Sequence, residues 1–167
     1  PIQVRKDLAI TGIVGKPRIF FPNDTAATAI YTFLHWNKNH QAVIVGAGSL
    51  ATALMGYPEF PRRGLSIMAA FDTDPQKIGK VVNGKPVYHL DDLPGQVSNL
   101  EASIAILTVP SDYAQEVAER VIEAGFTAIW TLAIVKRKVP PGVLVQKEDL
   151  SSGYAVLSVK IRKLYGE

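Results

Sequence analysis

The stretch from Gln41 to Ala51 constrains the fold more than any other part of this chain. Ala42-Val43-Ile44-Val45 is a short apolar run rich in β-branched residues, as expected of a strand buried on both faces. Gly46-Ala47-Gly48-Ser49-Leu50-Ala51 follows at once with the spacing G-x-G-x-x-A, and Ser49 to Gly56 reads as a helix. A strand that turns into a helix within three residues begins a βαβ unit. Parallel strands joined by right-handed crossovers are then expected. Gly46 permits the tight turn, Gly48 leaves the backbone open to a pyrophosphate, and Ala51 lets the helix pack closely on the strand. The helix start adds free N–H groups and a partial positive charge. Gly46, Ala47, Gly48, Ser49 and Leu50 are therefore the candidate phosphate-binding segment.

The rest of the chain keeps the same rhythm. Leu65 to Phe71 (ending at Asp72), Pro86 to Tyr88, Ser103 to Val109, Phe126 to Trp130 and Val143 to Val145 read as strands. Asn23-Asp24-Thr25 opens a helix to about Asn37, with Ala27, Ile30, Phe33 and Leu34 on one face. Leu90 to Leu93 is a turn or short helix. Ser111 caps a helix that Gly125 ends, and a last helix spans Leu150 to Leu164. Residues 2–9 suggest a short polar helix and 12–22 a linker punctuated by Gly and Pro. The expected fold class is α/β: a doubly wound parallel sheet of Rossmann type with a C-terminal dimerisation helix. The expected parts are 1–22, 23–148 and 149–167.

Asp72 stands 26 residues beyond Gly46, where a βαβ unit places its ribose-binding acid. A carboxylate there accepts both ribose hydroxyls and repels a 2′-phosphate, favouring NAD(H). Thr73 and Lys77 follow on the same rim. Lys77 and Lys80 either border the adenine pocket or touch a phosphate, or are simply solvated. Asp74-Pro75 starts the next turn. Thr108, Val109 and Pro110 end the fourth strand, facing the crevice where such sheets bind ligands.

Chemistry on a substrate is not indicated. There is no cysteine, which excludes disulfides and thiol-based metal sites. His35 and His40 precede the first strand, and His89 follows a short one, so none is placed as an acid/base group. Tyr57 reaches toward the nicotinamide end, and no second catalytic group is assigned beside it. No catalytic or metal residue is assigned. A net charge of +3 permits a phosphate or nucleic-acid partner without requiring one. No apolar run approaches the roughly 20 residues of a membrane helix, and a cytoplasmic protein is expected. Tyr154, Val156, Leu157, Ile161 and Leu164 make the last helix apolar enough to suggest a homodimer.

Several segments together resemble one family. They are Val4-Arg5-Lys6-Asp7-Leu8, Val45-Gly46-Ala47-Gly48, Tyr57-Pro58-Glu59-Phe60, Arg63-Gly64, Ala70 to Pro75, Lys77-Ile78-Gly79-Lys80, Pro86-Val87-Tyr88, Ile106 to Pro110, Ala114 to Ala118 and Glu123-Ala124-Gly125. In this order they resemble the Rex redox-sensing transcriptional repressors. The resemblance implies a winged-helix DNA-binding domain, an NAD(H)-binding Rossmann domain and a C-terminal helix exchanged within a homodimer, with NADH releasing operator DNA. It implies that residues 1–22 are a remnant of the DNA-binding domain, with Arg5 and Lys6 as DNA contacts, and that this chain alone binds operator DNA poorly. It also implies that Tyr57 lies near the nicotinamide and that Asp149 reaches the partner's nicotinamide pocket, unless Asp149 only caps its helix. Thr131-Leu132-Ala133-Ile134 and Arg18 to Asn23 depart from the family pattern at the redox-reading end. Two alternatives stay open: a CoA-binding Rossmann module, and a divergent Rex paralogue without redox discrimination.

Overall fold

Burial along the strands shows how the sheet is covered. Val43, Val45, Ala69, Phe71, Ala105 and Leu107 belong to one core cluster, while the alternate positions Ala42, Ile44, Ala70 and Ile106 are equally buried. Both faces of the sheet are therefore covered, which is why these strands read as unbroken apolar runs. The computed structural model describes residues 10, 23–132 and 139–165. The expected polar helix at 2–9, the linker at 12–22, Arg5, Lys6, Ala133 and Ile134 lie outside the described residues.

The chain divides into two units, Pro1–His40 with Pro58–Ser66, and Gln41–Tyr57 with Ile67–Glu167. The strands are β1 (His40–Val45), β2 (Leu65–Asp72), β3 (Val81–Val82), β4 (Lys85–His89), β5 (Ile104–Leu107), β6 (Ala128–Thr131) and β7 (Leu144–Lys147). The helices are α1 (Asn23–Phe33), α2 (Ser49–Met55), α3 (Glu59–Arg62), α4 (Leu93–Leu100), α5 (Ser111–Glu123) and α6 (Leu150–Tyr165), with a 3-10 turn at Leu90–Asp92. The sheet has seven strands in the order β3-β4-β2-β1-β5-β6-β7. β1 pairs parallel with β5, β5 with β6, β6 with β7 and β2 with β4, and β3 is antiparallel to β4. The direction of winding reverses between β1 and β5. Open α/β sheets bind ligands outside the strand ends at such a switch point.

In the second unit, Leu93 of α4 and Ala114, Val117, Ala118 and Val121 of α5 pack into the cluster that holds Val43, Val45 and Phe71. Their spacing on α5 is that of one helical face, leaving Tyr113, Glu116 and Arg120 on its flank. Helix α2 buries Ala51 and Met55. Ala51 is completely buried, as its place in the fingerprint requires.

In the first unit, α1 stops at Phe33, short of the expected Asn37. His35 takes a left-handed φ of 56°, which breaks the helical ladder. The face read as apolar is not buried, since Phe33 is 49% and Leu34 43% exposed. Trp36 then anchors the turn. Tyr31 meets it edge-on at 5.3 Å, and the Arg63 guanidinium lies 4.5 Å from its ring centroid. Gly64, at φ +74°, accepts from His40 N at 2.7 Å and runs against the carbonyls of Trp36 and Lys38.

Other boundaries differ for physical reasons. Ser111 is the first residue of α5 and not its cap; Pro110 holds the cap position in extended backbone, with no side-chain hydrogen bond. The strand expected at Pro86–Tyr88 is one arm of a hairpin with β3, turned by Asn83 and Gly84 at φ 48° and 75°. That pair of positive φ values is what a two-residue primed hairpin turn needs. The turn expected at Leu90–Leu93 continues into α4, because Pro94 lies in its first turn, where no N–H is needed.

Candidate functional site

A cavity of about 550 Å³ opens at the switch point. Its size lies within the roughly 300–1,000 Å³ of small-molecule sites. The strands supply Val45, Phe71 and Asp72, and the turns after them supply Gly46, Gly48, Thr73, Lys77, Thr108, Val109 and Pro110. Leu90 and the flank of α5, with Tyr113, Glu116, Val117 and Arg120, complete the wall.

The glycine turn is locked to both neighbouring strands. Gly46 N donates to Phe71 O at 2.7 Å, and Thr108 N donates to Val45 O at 2.9 Å. The Thr108 hydroxyl lies 2.8 Å from Gly46 O and 3.1 Å from Val45 O, so its proton binds the two strand ends together. Gly46 has φ +97°, and a Cβ there would sit 3.0 Å from Val109 Cγ1 and 3.2 Å from Thr108 C and O. Only glycine meets that turn without strain. By contrast, a Cβ on Gly48 would meet nothing within 4 Å, so the space beside this backbone is open. Gly48 is the cap of α2, and the first turn of α2 carries no acidic side chain to offset its positive end. Ser49 and Leu50 form that first turn, Leu50 being 37% exposed.

Asp72 stands next to this turn. Its Oδ2 accepts from Ala47 N at 2.6 Å and from Lys77 Nζ at 3.0 Å, and its Oδ1 accepts from Asp74 N at 2.9 Å. Burial alone would raise this carboxyl. The Asp74 N–H, the Lys77 ammonium and the Ala47 N–H together outweigh it and hold the group below its usual value. A carboxyl with a depressed folded-state pKa contributes stability above its unfolded value, 3.8, and that contribution fades as pH falls through the lower folded value. Thermal unfolding from about pH 5 down to about pH 2 should therefore lose less for Asp72→Asn than for the unsubstituted chain. Parallel losses would show that Asp72 is not held in its charged form by these bonds.

Of the residues singled out in the sequence, Gly46, Gly48, Asp72, Thr73, Lys77, Thr108, Val109 and Pro110 converge on the cavity, and Ala47 joins it through Asp72. Tyr57 does not line it; it follows α2, half exposed. Asp149 does not line it either. It caps α6, with Oδ1 accepting from Ser151 N at 2.8 Å and from Ser151 Oγ at 2.6 Å. His89 does the same for the 3-10 turn, accepting from Asp91 N at 3.1 Å through Nδ1. Sequence reasoning missed Tyr113, Glu116 and Arg120. Arg120 is tied to the Asp91 carboxylate, a pairing across 29 residues that no local pattern announces.

The arrangement defines a class: a switch-point nucleotide cavity lined by a glycine turn and by the strand-end acid bonded to it. The sequence profile of the CoA binding domain family matches residues 37–135, the part that builds this cavity. A redox-sensing transcriptional repressor Rex from Treponema denticola is 56% identical over 95% of this chain and 76% of its own length. Three structures of RSP, a Rex-family repressor, superpose over nearly the whole chain. The complex with β-NAD+ and operator DNA has a TM-score of 0.88 at 27% identity, covering 99% of this chain and 79% of RSP. The complex with β-NADH has a TM-score of 0.87 at 25% identity, covering 98% and 76%. This chain belongs to the Rex family of redox-sensing transcriptional repressors.

Proposed function

We propose that this chain is the NAD(H)-sensing part of a redox-responsive transcriptional repressor, cytoplasmic and without catalytic activity of its own. The observation that carries this reading is the Asp72 carboxylate bonded to Ala47 N of the Gly46–Gly48 turn, so that acid and turn together line one cavity. The Gly48 backbone and the start of α2 suit a pyrophosphate. Asp72 suits the adenosine ribose, with Thr73 beside it, and Thr108, Val109 and Pro110 border the path between the two nucleotide halves. RSP, alike in fold over the whole chain, has been solved with NADH, and with NAD+ on operator DNA. Arg5 and Lys6 are proposed DNA contacts within an N-terminal reading domain, of which residues 1–22 are the end; residues 23–148 are the sensing domain and 149–167 the dimer helix. The intact protein should release operator DNA when this cavity fills with NADH. A fluorescence-anisotropy titration of the intact repressor on its operator tests this; dissociation by NADH at concentrations where NAD+ leaves the complex in place is expected. Indifference to NADH would refute the sensing function.

A homodimer follows from α6. Tyr154, Val156, Leu157, Val159, Ile161, Leu164 and Tyr165 are each between 45% and 78% exposed, so the helix does not bury its apolar residues against its own sheet. A second copy of the chain is the partner proposed for them, with Asp149 carried toward that copy's cavity and Tyr57 set near the nicotinamide end. Light scattering of the double variant Leu157→Asp, Ile161→Asp should give the monomer mass, with the unsubstituted chain at twice that mass. Equal masses would remove α6 from the interface. Among the described residues no helix is long and apolar enough to cross a membrane.

A further inference from the structure

A glycine with a negative φ needs a reason other than its backbone. Gly56, the residue after α2, has φ −92° and ψ 0°, a conformation open to residues with side chains. Its reason is Asn83. A Cβ at Gly56 would sit 2.9 Å from Asn83 Nδ2 and 3.3 Å from Asn83 Cγ. Asn83 belongs to the β3–β4 turn, where its φ of 48° suits asparagine or glycine. From that turn its Nδ2 donates to Thr52 O in α2 at 2.7 Å, across 31 residues. Gly56 N also donates to Thr52 O, at the longer distance of 3.3 Å.

Thr52 carries the contact onward. Its N and its Oγ1 donate to Gly48 O at 3.0 and 3.1 Å. A line of hydrogen bonds therefore runs from the hairpin, through one turn of α2, to the Gly46–Gly48 turn that borders the cavity. Helix α2 has seven residues, fewer than the roughly 12–15 that hold a helical shape unaided. Ala51 and Met55 anchor it on the sheet. Asn83 adds an attachment at its carbonyl end, where the last C=O groups need donors. From the same hairpin β4 runs to His89, the register partner of Asp72, so one arm braces both the acid and the glycine turn.

We propose that Asn83 is a positioning residue for the dinucleotide: its amide, seated against Gly56, fixes α2 so that the Gly48 backbone meets the pyrophosphate without rearranging. The inference rests on the NAD(H) reading of this cavity. Asn83 does not line the cavity, so its effect on affinity passes through Thr52 and Gly48. Without the amide the carbonyl end of α2 is free to tilt, and binding must first restore the glycine turn. One net hydrogen bond corresponds to roughly two- to tenfold in such an equilibrium.

The test is the NADH dissociation constant of the full chain, measured by calorimetry beside the denaturation midpoint. A contact that only stabilised the fold would move the midpoint and leave the affinity of the folded chain unchanged. Asn83→Gly keeps the turn and removes the amide. Gly56→Ala keeps the amide, but its Cβ pushes that flexible tip off Thr52 O. Each variant should weaken NADH binding at least about threefold. Both remove the same bond, so the double variant should match the weaker single one within about twofold. Asn83→Asp, which turns a carboxylate toward the Thr52 carbonyl, should weaken binding at least as much as Asn83→Gly. A constant that moves less than about threefold in Asn83→Gly, or single effects that multiply in the double variant, would overturn the role of Asn83 and leave the NAD(H) site standing. Absence of NADH binding by the unsubstituted chain would overturn both.

Discussion

Gly46→Val should abolish NADH binding, weakening it by at least a hundredfold, and lower stability by about 2–3 kcal/mol. Two causes act together. The φ of +97° at Gly46 lies in a region where any side chain is strained, at about 1–2 kcal/mol for the left-handed backbone alone. The added Cβ would also start 3.0 Å from Val109 Cγ1 and 3.2 Å from the Thr108 carbonyl, before the extra methyl groups are placed. Val109 can rotate, but the Thr108 backbone is fixed by its bonds to Val45 and Gly46. Relief then has to come from opening the β1–β5 switch point or flattening the turn, and either displaces the Gly48 N–H from the cavity. Calorimetric titration and chemical denaturation of the same variant check the two halves. Normal affinity at reduced stability would mean that the turn is structural only.

Gly64→Ala should be the most destabilising single substitution in the first unit, costing about 3–5 kcal/mol. Gly64 has φ +74°, and its missing Cβ points into the backbone carbonyl of Lys38, with the Trp36 carbonyl 2.7 Å away. A flexible side chain could yield here; two main-chain carbonyls cannot. Those carbonyls belong to the turn that carries Trp36, whose ring holds Tyr31 on its edge and Arg63 on its face. Pushing that turn away breaks the His40 N to Gly64 O bond at the entry to β1 as well. Denaturant unfolding monitored by tryptophan fluorescence should show an earlier transition. A cost below about 1 kcal/mol, the level of an ordinary Gly replacement, would show that the turn moves freely.

How much of this could be read from residues alone depended on how local the signal was. Gly46, Gly48 and Ala51 are a local pattern with a steric reason at each place, and Asp72 is fixed by the length of one βα crossover, so the heart of the cavity was legible. The Asn83-Gly84 pair between Val82 and Lys85 is an equally strong hairpin signal, and it was overlooked because the arms are so short. Pro94-Gly95 masked α4, since both residues usually end helices and here one of them starts it. The α5 wall was not legible. The buried stripe Ala114, Val117, Ala118 and Val121 shows which side of the helix faces the core, but only the packed sheet reveals that its flank, with Tyr113, Glu116 and Arg120, overlooks the cavity. Asp149 was legible as a cap, and that is the role its bonds show. The nicotinamide role proposed for Tyr57 and Asp149 rests on a second copy of the chain and on the family resemblance, neither of which local chemistry encodes.

The cavity between β1, β2 and β5 is proposed to hold NAD(H) and to read its redox state. Isothermal calorimetry of the full chain with NADH, NAD+ and CoA addresses it directly. One site per chain is expected, with NADH bound tighter than NAD+ by at least tenfold and no competition from CoA at comparable concentration. Saturable binding of CoA with no response to either dinucleotide would contradict it and make the chain a CoA-binding module built on the same fold.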